Sequence, residues 1–274
     1  MPVSLETAVC VLCGSSRSRP AIRGEGFAYV RCVDCGLVYQ NPRYTFRHLR
    51  SRVYVRKYFH YELRNEQNFF HLMRLNLRDA GLDKLAERFG DRKRRFLDIG
   101  CATGRLLSHM KSAGWDSTGV EICADSCRFG RKRYGVRIRN STLEAARFRS
   151  GSFEVVHMSH VIEHVPDPSA TLTEIRRVLV PGGLFLCVTP NVDGFQARWF
   201  KGRWRSAHKD HLTLFSTATL RRMLVRSGFR VLKQFSYGGL AKGAGPDWVK
   251  RPLDAAAKAF NFGDVTAFVC EKPE

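Results

Sequence analysis

The sequence predicts an α/β fold: a parallel sheet covered by helices, preceded by a small module built around a metal. Three observations predict it. Two Cys-x-x-Cys pairs, Cys10/Cys13 and Cys32/Cys35, lie near the N-terminus. A short apolar strand beginning at Phe96 runs into a loop spaced by Gly100 and Gly104, and a helical pattern follows. A second strand after Trp115 ends in an acid, Glu121, about twenty residues beyond the start of the loop, the spacing of a strand–loop–helix–strand unit. Such units stack into parallel sheets.

At 274 residues and 44% apolar content, the chain is long enough for one α/β core and an appendage. The expected boundaries are 1–42 for the metal module, 43–92 for a helical connector or lid, and 93–274 for the main domain. No apolar run approaches the ~20 residues of a membrane-spanning helix. The N-terminus lacks the charged start and apolar block of a secretory signal. The expectation is a cytoplasmic protein, with peripheral membrane contact left open and the oligomeric state unspecified. The net charge is +21, split between residues 1–95 (+10) and 96–274 (+11), so it is not a detachable tail. Its densest clusters are residues 92–95, 131–133 and 198–209, the last interleaved with Trp199, Phe200 and Trp204. This suits an anionic partner such as RNA, a phosphorylated substrate or a lipid surface, and equally a solubilising face.

The two cysteine pairs are separated by eighteen residues. Two residues between thiolates let both sulfurs of one tight turn face a single ion, and four thiolates close a tetrahedral shell with no position for water. The spacing predicts a structural zinc ribbon on Cys10, Cys13, Cys32 and Cys35, with an iron–sulfur site or a redox pair as alternatives. Phe27–Arg31 reads as one strand of a hairpin between the pairs. So short a segment has little core, and the metal would supply much of its folding free energy. The other five cysteines (Cys101, Cys123, Cys127, Cys187, Cys270) are scattered, unlike a secreted disulfide framework.

The connector carries Leu63, Phe69, Phe70, Leu72, Met73, Leu75 and Leu77 at helical spacing. It reads as a helix pair packing the ribbon against the main domain, or as a lid, with Tyr54, Tyr58 and Phe59 the candidates for its ligand side.

In the glycine loop, Gly100 permits a sharp turn and Gly104 a close approach, and free amides at the helix start suit a polar or anionic group. The loop is not the dinucleotide fingerprint G-x-G-x-x-G, because Ala102 holds the middle position and Asp98 sits two residues before the first glycine. A carboxylate there would repel a pyrophosphate and would suit the positive amino-acid end of a cofactor. Glu121 can accept both hydroxyls of a ribose.

Taken together, residues 96 to about 236 resemble a class I S-adenosylmethionine-dependent methyltransferase. The matching motifs are Phe96–Gly104, Gly119-Val-Glu121, residues 152–168, residues 179–191 and the stretch from His211 to Phe229. The N-terminal cysteine unit is similar to ribbons fused to such enzymes. The resemblance implies a Rossmann-like seven-stranded sheet with helices on both faces, and S-adenosylmethionine as cofactor. It implies that Asp98 and the amides of Gly100, Cys101, Ala102, Thr103 and Gly104 hold the methionine end. Glu121 would hold the ribose and Ile122 the adenine, with Thr142, Leu143, Ser159 and His160 completing the cofactor site. Many relatives place an aspartate where Thr142 falls, so Thr142, the nearby Glu144 or the backbone takes its part.

His160-Val-Ile-Glu163-His164 also matches the H-x-x-E-H pattern of inverted zinc proteases. That motif needs a helix, and Pro166 and Pro168 break one soon after. The resemblance implies instead an active-site loop in which His160, Glu163 and His164 serve catalysis, His160 lying beside the cofactor; some relatives with a similar Glu-His pair place a divalent ion there. His211 is a second candidate base, since a histidine of near-neutral pKa can deprotonate a hydroxyl or carbon acid. Ser159-His160 replaces the Asn/Asp-Pro-Pro-aromatic motif common in exocyclic-amine methylation, and no loop cysteine offers the nucleophile of carbon-5 pyrimidine chemistry. The expectation is O- or C-methylation of a small, phosphorylated, lipid- or nucleotide-linked metabolite, such as a sugar, polyketide or quinone precursor. RNA methylation through ribbon and basic surface is the alternative, and a cofactor-binding protein without turnover a second.

Overall fold

The computed structural model describes residues 4–90, 94–238, 248 and 262–274; Arg92 and Lys93 of the first basic cluster, and the expected boundary at 93, lie outside them. At the N-terminus, β1 (Leu5–Glu6) is followed by a hairpin of β2 (Ser18–Gly24) and β3 (Phe27–Cys32), then β4 (Val38–Gln40) and β5 (Arg43–Tyr44), which pairs back with β1. The two cysteine turns flank the hairpin as the spacing predicts. Next come α1 (Phe46–Arg52), the 25-residue α2 (Arg56–Ala80), ended by Gly81 in the left-handed region, and the short α3 (Leu82–Ala86).

α2 is amphipathic, but its inner face is partly polar: Glu62 and Asn76 are buried with Leu77 and Ala80, while Leu72 of the expected stripe is exposed. The helix packs on α4 (Arg105–Ser112), α5 (Ala124–Tyr134) and β13 (Val265–Glu271), the second strand of the main sheet, rather than standing between that sheet and the ribbon. The ribbon makes its own junction. Its β4 offers a free strand edge, and β11 (Thr213–Leu214), from far along the chain, pairs with it to complete a four-stranded sheet. Unpaired strand edges carry unmet hydrogen-bonding groups, which is the physical reason for such an addition.

The main domain alternates strand and helix: β6 (Arg95–Ile99), α4 (Arg105–Ser112), β7 (Asp116–Val120), α5 (Ala124–Tyr134), β8 (Arg137–Arg139), β9 (Phe153–Ser159), α6 (Pro168–Val178), β10 (Leu179–Pro190), α7 (Phe195–Phe200), β11, α8 (Thr217–Arg226), β12 (Arg230–Tyr237) and β13 (Val265–Glu271). The seven-stranded sheet has the order β12-β13-β10-β9-β6-β7-β8, parallel from β10 to β8, with β13 antiparallel to both its neighbours.

Alternation sorts the core into two layers. Leu97, Val156 and Phe185 face the side covered by α6 and α8. Phe96, Val155 and Leu186 face the side where Leu106, Met110 and Leu77 arrive from α4 and α2. Burial on both faces explains why β9 and β10 read as nearly continuous apolar runs. Helix starts are locally encoded: Asp167 caps α6 by accepting from Ala170 N–H at 3.0 Å ahead of Pro168, and Ser216 and Thr219 form a capping box on α8. The chain runs outward from β6 to β8 and then returns to β9 on the other side of β6. That reversal opens a crevice at the C-terminal ends of β6 and β9, where open α/β sheets bind ligands.

Candidate active site

The crevice floor is the loop from Gly100 to Gly104. Gly100 has φ +70°, and a Cβ on it would sit 2.4 Å from Val161 Cγ2, so only glycine fits between the strand end and the loop after β9. Ala102 also takes a left-handed φ of 48°, a conformation that disfavours a residue with a Cβ. Local strain of this kind is held by surrounding contacts and clusters at ligand sites. Here one contact is visible: Ala102 N–H donates to Glu121 Oε2 at 3.1 Å, while Glu121 Oε1 accepts from Cys123 N–H at 2.7 Å. The acid at the end of β7 thus braces the glycine loop. Burial pushes its pKa up, against the pull of those amides. Asn140, which the sequence pattern did not single out, donates to the carbonyls of Glu121 (2.9 Å) and Ile122 (3.1 Å) and holds the turn in place.

Asp98 is buried at 2% exposure, and its Oδ1 lies 2.7 Å from Nδ1 of His157, a fully buried residue on β9. Its other oxygen, Oδ2, has no partner, and neither has His157 Nε2. An unpaired buried carboxylate oxygen is costly, and one at the loop entrance fits the ammonium end of an amino-acid cofactor. Beyond β8, Thr142 accepts Ala145 N–H at 3.3 Å, Leu143 is buried, and Glu144 accepts the Thr171 hydroxyl at 2.7 Å. One Glu144 oxygen is therefore engaged with α6. On the lid side, Ile122 and Tyr58 both pack against the buried cluster of Leu49, Tyr54 and Leu212. Phe59 turns to Phe129 instead.

The second polar cluster sits on the same rim. β9 ends at Ser159, His160 follows with φ 55°, and residues Ile162–His164 make a single tight turn, not the helix of a metalloprotease motif. Glu163 is fully buried: Oε2 accepts the Thr189 hydroxyl at 2.9 Å, Oε1 is unpaired by hydrogen bonds, and His160 Nδ1 lies 3.5 Å from it. Burial alone would raise the Glu163 pKa, but the His160 ring and the charges of His164 and His160 outweigh it and hold the carboxyl below its usual range. His164 Nδ1 donates to Asp210 O at 2.8 Å, which leaves Nε2 as the acceptor. His211 comes from the segment before β11, its ring centroid 4.5 Å from that of His164. Burial, then the charges of His164, His208 and His160, push its pKa far below the usual value, so it is neutral, and its Nδ1 has no partner. The structure thus brings Glu163, His164 and His211 together, one ligand atom of each within 4.8 Å of the others, with His160 at the edge. That spacing, the unpaired Oε1 and Nδ1, and the carbonyl behind His164 fit a divalent cation.

The four ribbon cysteines likewise bring their sulfurs within 4.8 Å of one another, with Cys10–Cys35 at 3.3 Å and Cys13–Cys32 at 3.5 Å. Sulfurs ~2.3 Å from a common tetrahedral ion stand at nearly this spacing. The five remaining cysteines are all buried. Trp204 of the aromatic basic cluster is buried and donates to Asp264 Oδ1 at 2.6 Å, whereas Trp199 is exposed.

The strand order, the glycine loop and the acid after the second strand define a class I S-adenosylmethionine-dependent methyltransferase. The methyltransferase domain family matches residues 69–234, and the chain belongs to that family. Among curated proteins, the ubiquinone biosynthesis O-methyltransferase of Cereibacter sphaeroides is 39% identical over 102 residues, 35% of this chain and 41% of that protein. That of Parvibaculum lavamentivorans is 38% identical over 117 residues, 40% of this chain and 46% of that protein. The alignments thus span less than half the length of these relatives. Among solved structures, an S-adenosylmethionine-dependent methyltransferase of Archaeoglobus fulgidus superposes with a TM-score of 0.55 at 21% identity, covering 77% of this chain and 99% of that one. One of Thermotoga maritima gives 0.54 at 22% identity, covering 78% and 99%. At these identities the superpositions establish the fold. Among the described residues, no helix is long and apolar enough to cross a membrane.

Proposed function

We propose that this chain transfers the methyl group of S-adenosylmethionine to an oxygen or carbon of a small acceptor, with His164 as the general base. The observation that carries the reading is the Glu163–His164–His211 cluster beside the glycine loop: Val161, between His160 and the cluster, packs directly on Gly100. The cofactor supplies an activated methyl on a sulfonium, so the protein's tasks are alignment and removal of one proton.

Of the five loop amides expected to hold the methionine end, Gly100 and Cys101 already donate to Val120 O, Ala102 to Glu121 and Gly104 to Cys101 O. Asp98 Oδ2 and Thr103 N–H therefore take the methionine end, Glu121 the ribose, and Ile122 with Tyr54 the adenine side. The Asp210 carbonyl fixes His164 in the tautomer whose Nε2 accepts the acceptor's proton, and ionised Glu163 stabilises the imidazolium that forms. Neutral His211 walls the cluster without adding charge. Held on Glu163, His164 and His211, a divalent cation would polarise an acceptor hydroxyl in place of the base; that second reading rests on the spacing of those three ligand atoms. The cysteine cluster holds a structural zinc. The partial similarity to ubiquinone O-methyltransferases and the basic surface favour a phenolic quinone precursor or a phosphorylated or lipid-linked metabolite. The buried cysteines argue against a pyrimidine nucleophile.

The test is transfer of labelled methyl from S-adenosylmethionine into fractionated small-molecule, lipid and RNA pools. Label in the small-molecule or lipid pool is expected. Label confined to RNA, or no label with cofactor bound, overturns the reading. Inhibition by a chelator that spares the cysteine-bound zinc would assign the proton's removal to a cation.

A further inference from the structure

The loop that carries His208 and His211 is gripped by the ribbon. The Tyr29 hydroxyl lies 2.8 Å from the carbonyl oxygens of both His208 and His211, and Gln40 Nε2 lies 2.9 and 2.8 Å from the same two. Tyr29 and Gln40 are each 1% exposed and stand directly opposite one another across the β3–β4 hairpin. Immediately after this clamp, Gln40 N–H donates to Leu212 O at 2.9 Å, and Leu212 N–H donates to Glu163 O at 2.8 Å. His211 is therefore fixed from both sides, by ribbon side chains through its own carbonyl and by the Glu163 backbone through the next residue. The tip of the same hairpin is the second cysteine pair: Cys32 ends β3, and Cys35 precedes β4. An ion on those thiolates pins the turn, and the turn sets the register that places Tyr29 opposite Gln40.

The structure assigns the ribbon a place in the acceptor site: Tyr29 and Gln40 are positioning residues for the His208–His211 loop, and the ion on the four cysteines sets where that loop stands. This rests on the proposed reading of the loop as part of the acceptor pocket. His208 O also accepts His211 N–H at 3.2 Å. Loss of either side chain alone therefore leaves both carbonyls with a donor, and only loss of both leaves the His211 carbonyl without one.

The experiment uses the full zinc-loaded chain and reads histidine imidazole NMR signals, hydrogen exchange at Leu212 N–H, and cofactor affinity by calorimetry. Tyr29→Phe and Gln40→Met are each expected to speed Leu212 exchange less than about twofold and the double variant about fivefold, taking about fivefold for the one carbonyl then left without a donor. The His208 and His211 signals move in the same order, S-adenosylmethionine affinity stays within about twofold, and stripping the ion from the wild type reproduces the double variant's spectrum. Unmoved histidine signals in the double variant would overturn the assignment. So would an equal shift in Leu12→Ala, a ribbon-core change that does not touch the loop, because the role would then be merely structural. Failure to bind the cofactor at all would sink the methyltransferase reading while leaving the loop measurements to stand or fall by themselves.

Discussion

Replacing Glu121 by glutamine tests the cofactor site most directly. In the wild type, both carboxylate oxygens take amide hydrogens from the protein, at 2.7 Å from Cys123 and 3.1 Å from Ala102. Each oxygen keeps a further lone pair for a ribose hydroxyl. A hydrogen bond to a charged acceptor contributes about 1.5–3 kcal/mol. Glutamine keeps one acceptor oxygen and turns an N–H₂ toward either Ala102 or Cys123 N–H, so at least one ribose bond and one loop brace are lost. The expected result is S-adenosylmethionine binding weaker by about 10- to 150-fold, the affinity equivalent of that range, measured by isothermal titration on zinc-loaded protein at neutral pH. The pH dependence adds a second signature. Burial raises the Glu121 pKa in the fold above its unfolded value, so the folded state holds the proton more tightly. Its contribution to stability is present below the unfolded pKa near 4.5 and is lost as pH rises through the raised folded value. Glu121→Gln has no such proton, so its stability changes less with pH across that window. An affinity within about twofold of the wild type would refute the reasoning, because a charged acceptor cannot be lost so cheaply.

Gly100→Ala places a Cβ 2.4 Å from Val161 Cγ2 at φ +70°; the left-handed strain alone costs ~1–2 kcal/mol, and a lowered melting temperature with loss of cofactor binding is expected. If the four thiolates hold a structural zinc, Cys32→Ser should reduce bound zinc from about one equivalent to none by metal analysis and lower the melting temperature, since such an ion would supply much of the ribbon's folding free energy; full zinc retention would remove Cys32 from the ligand set. His164→Ala should leave cofactor affinity unchanged and slow methyl transfer about 10²- to 10⁴-fold; an unchanged rate would show that His164 takes no proton. Thr189→Val withdraws the hydroxyl from fully buried Glu163 and should destabilise the fold by about 1–3 kcal/mol in chemical denaturation.

What the sequence by itself determined is everything written over a short stretch of chain. The two cysteine turns, the strand–glycine loop–helix after Phe96, the acid at 121 and the proline-broken turn after His164 are set by neighbours within a few residues, where backbone sterics and ligand spacing act locally. The parallel sheet also follows, because its strands are buried on both faces and read as apolar runs. The tertiary structure alone decided what lies far apart in sequence: His157 against Asp98 across adjacent strands, His211 beside Glu163 and His164, β11 joining the ribbon, and α2 turned toward α4 and α5 instead of the ribbon. Those pairings leave no period or spacing in the sequence. Each is chosen by which strand edge stood open and which buried polar atom still needed a partner once the chain had collapsed.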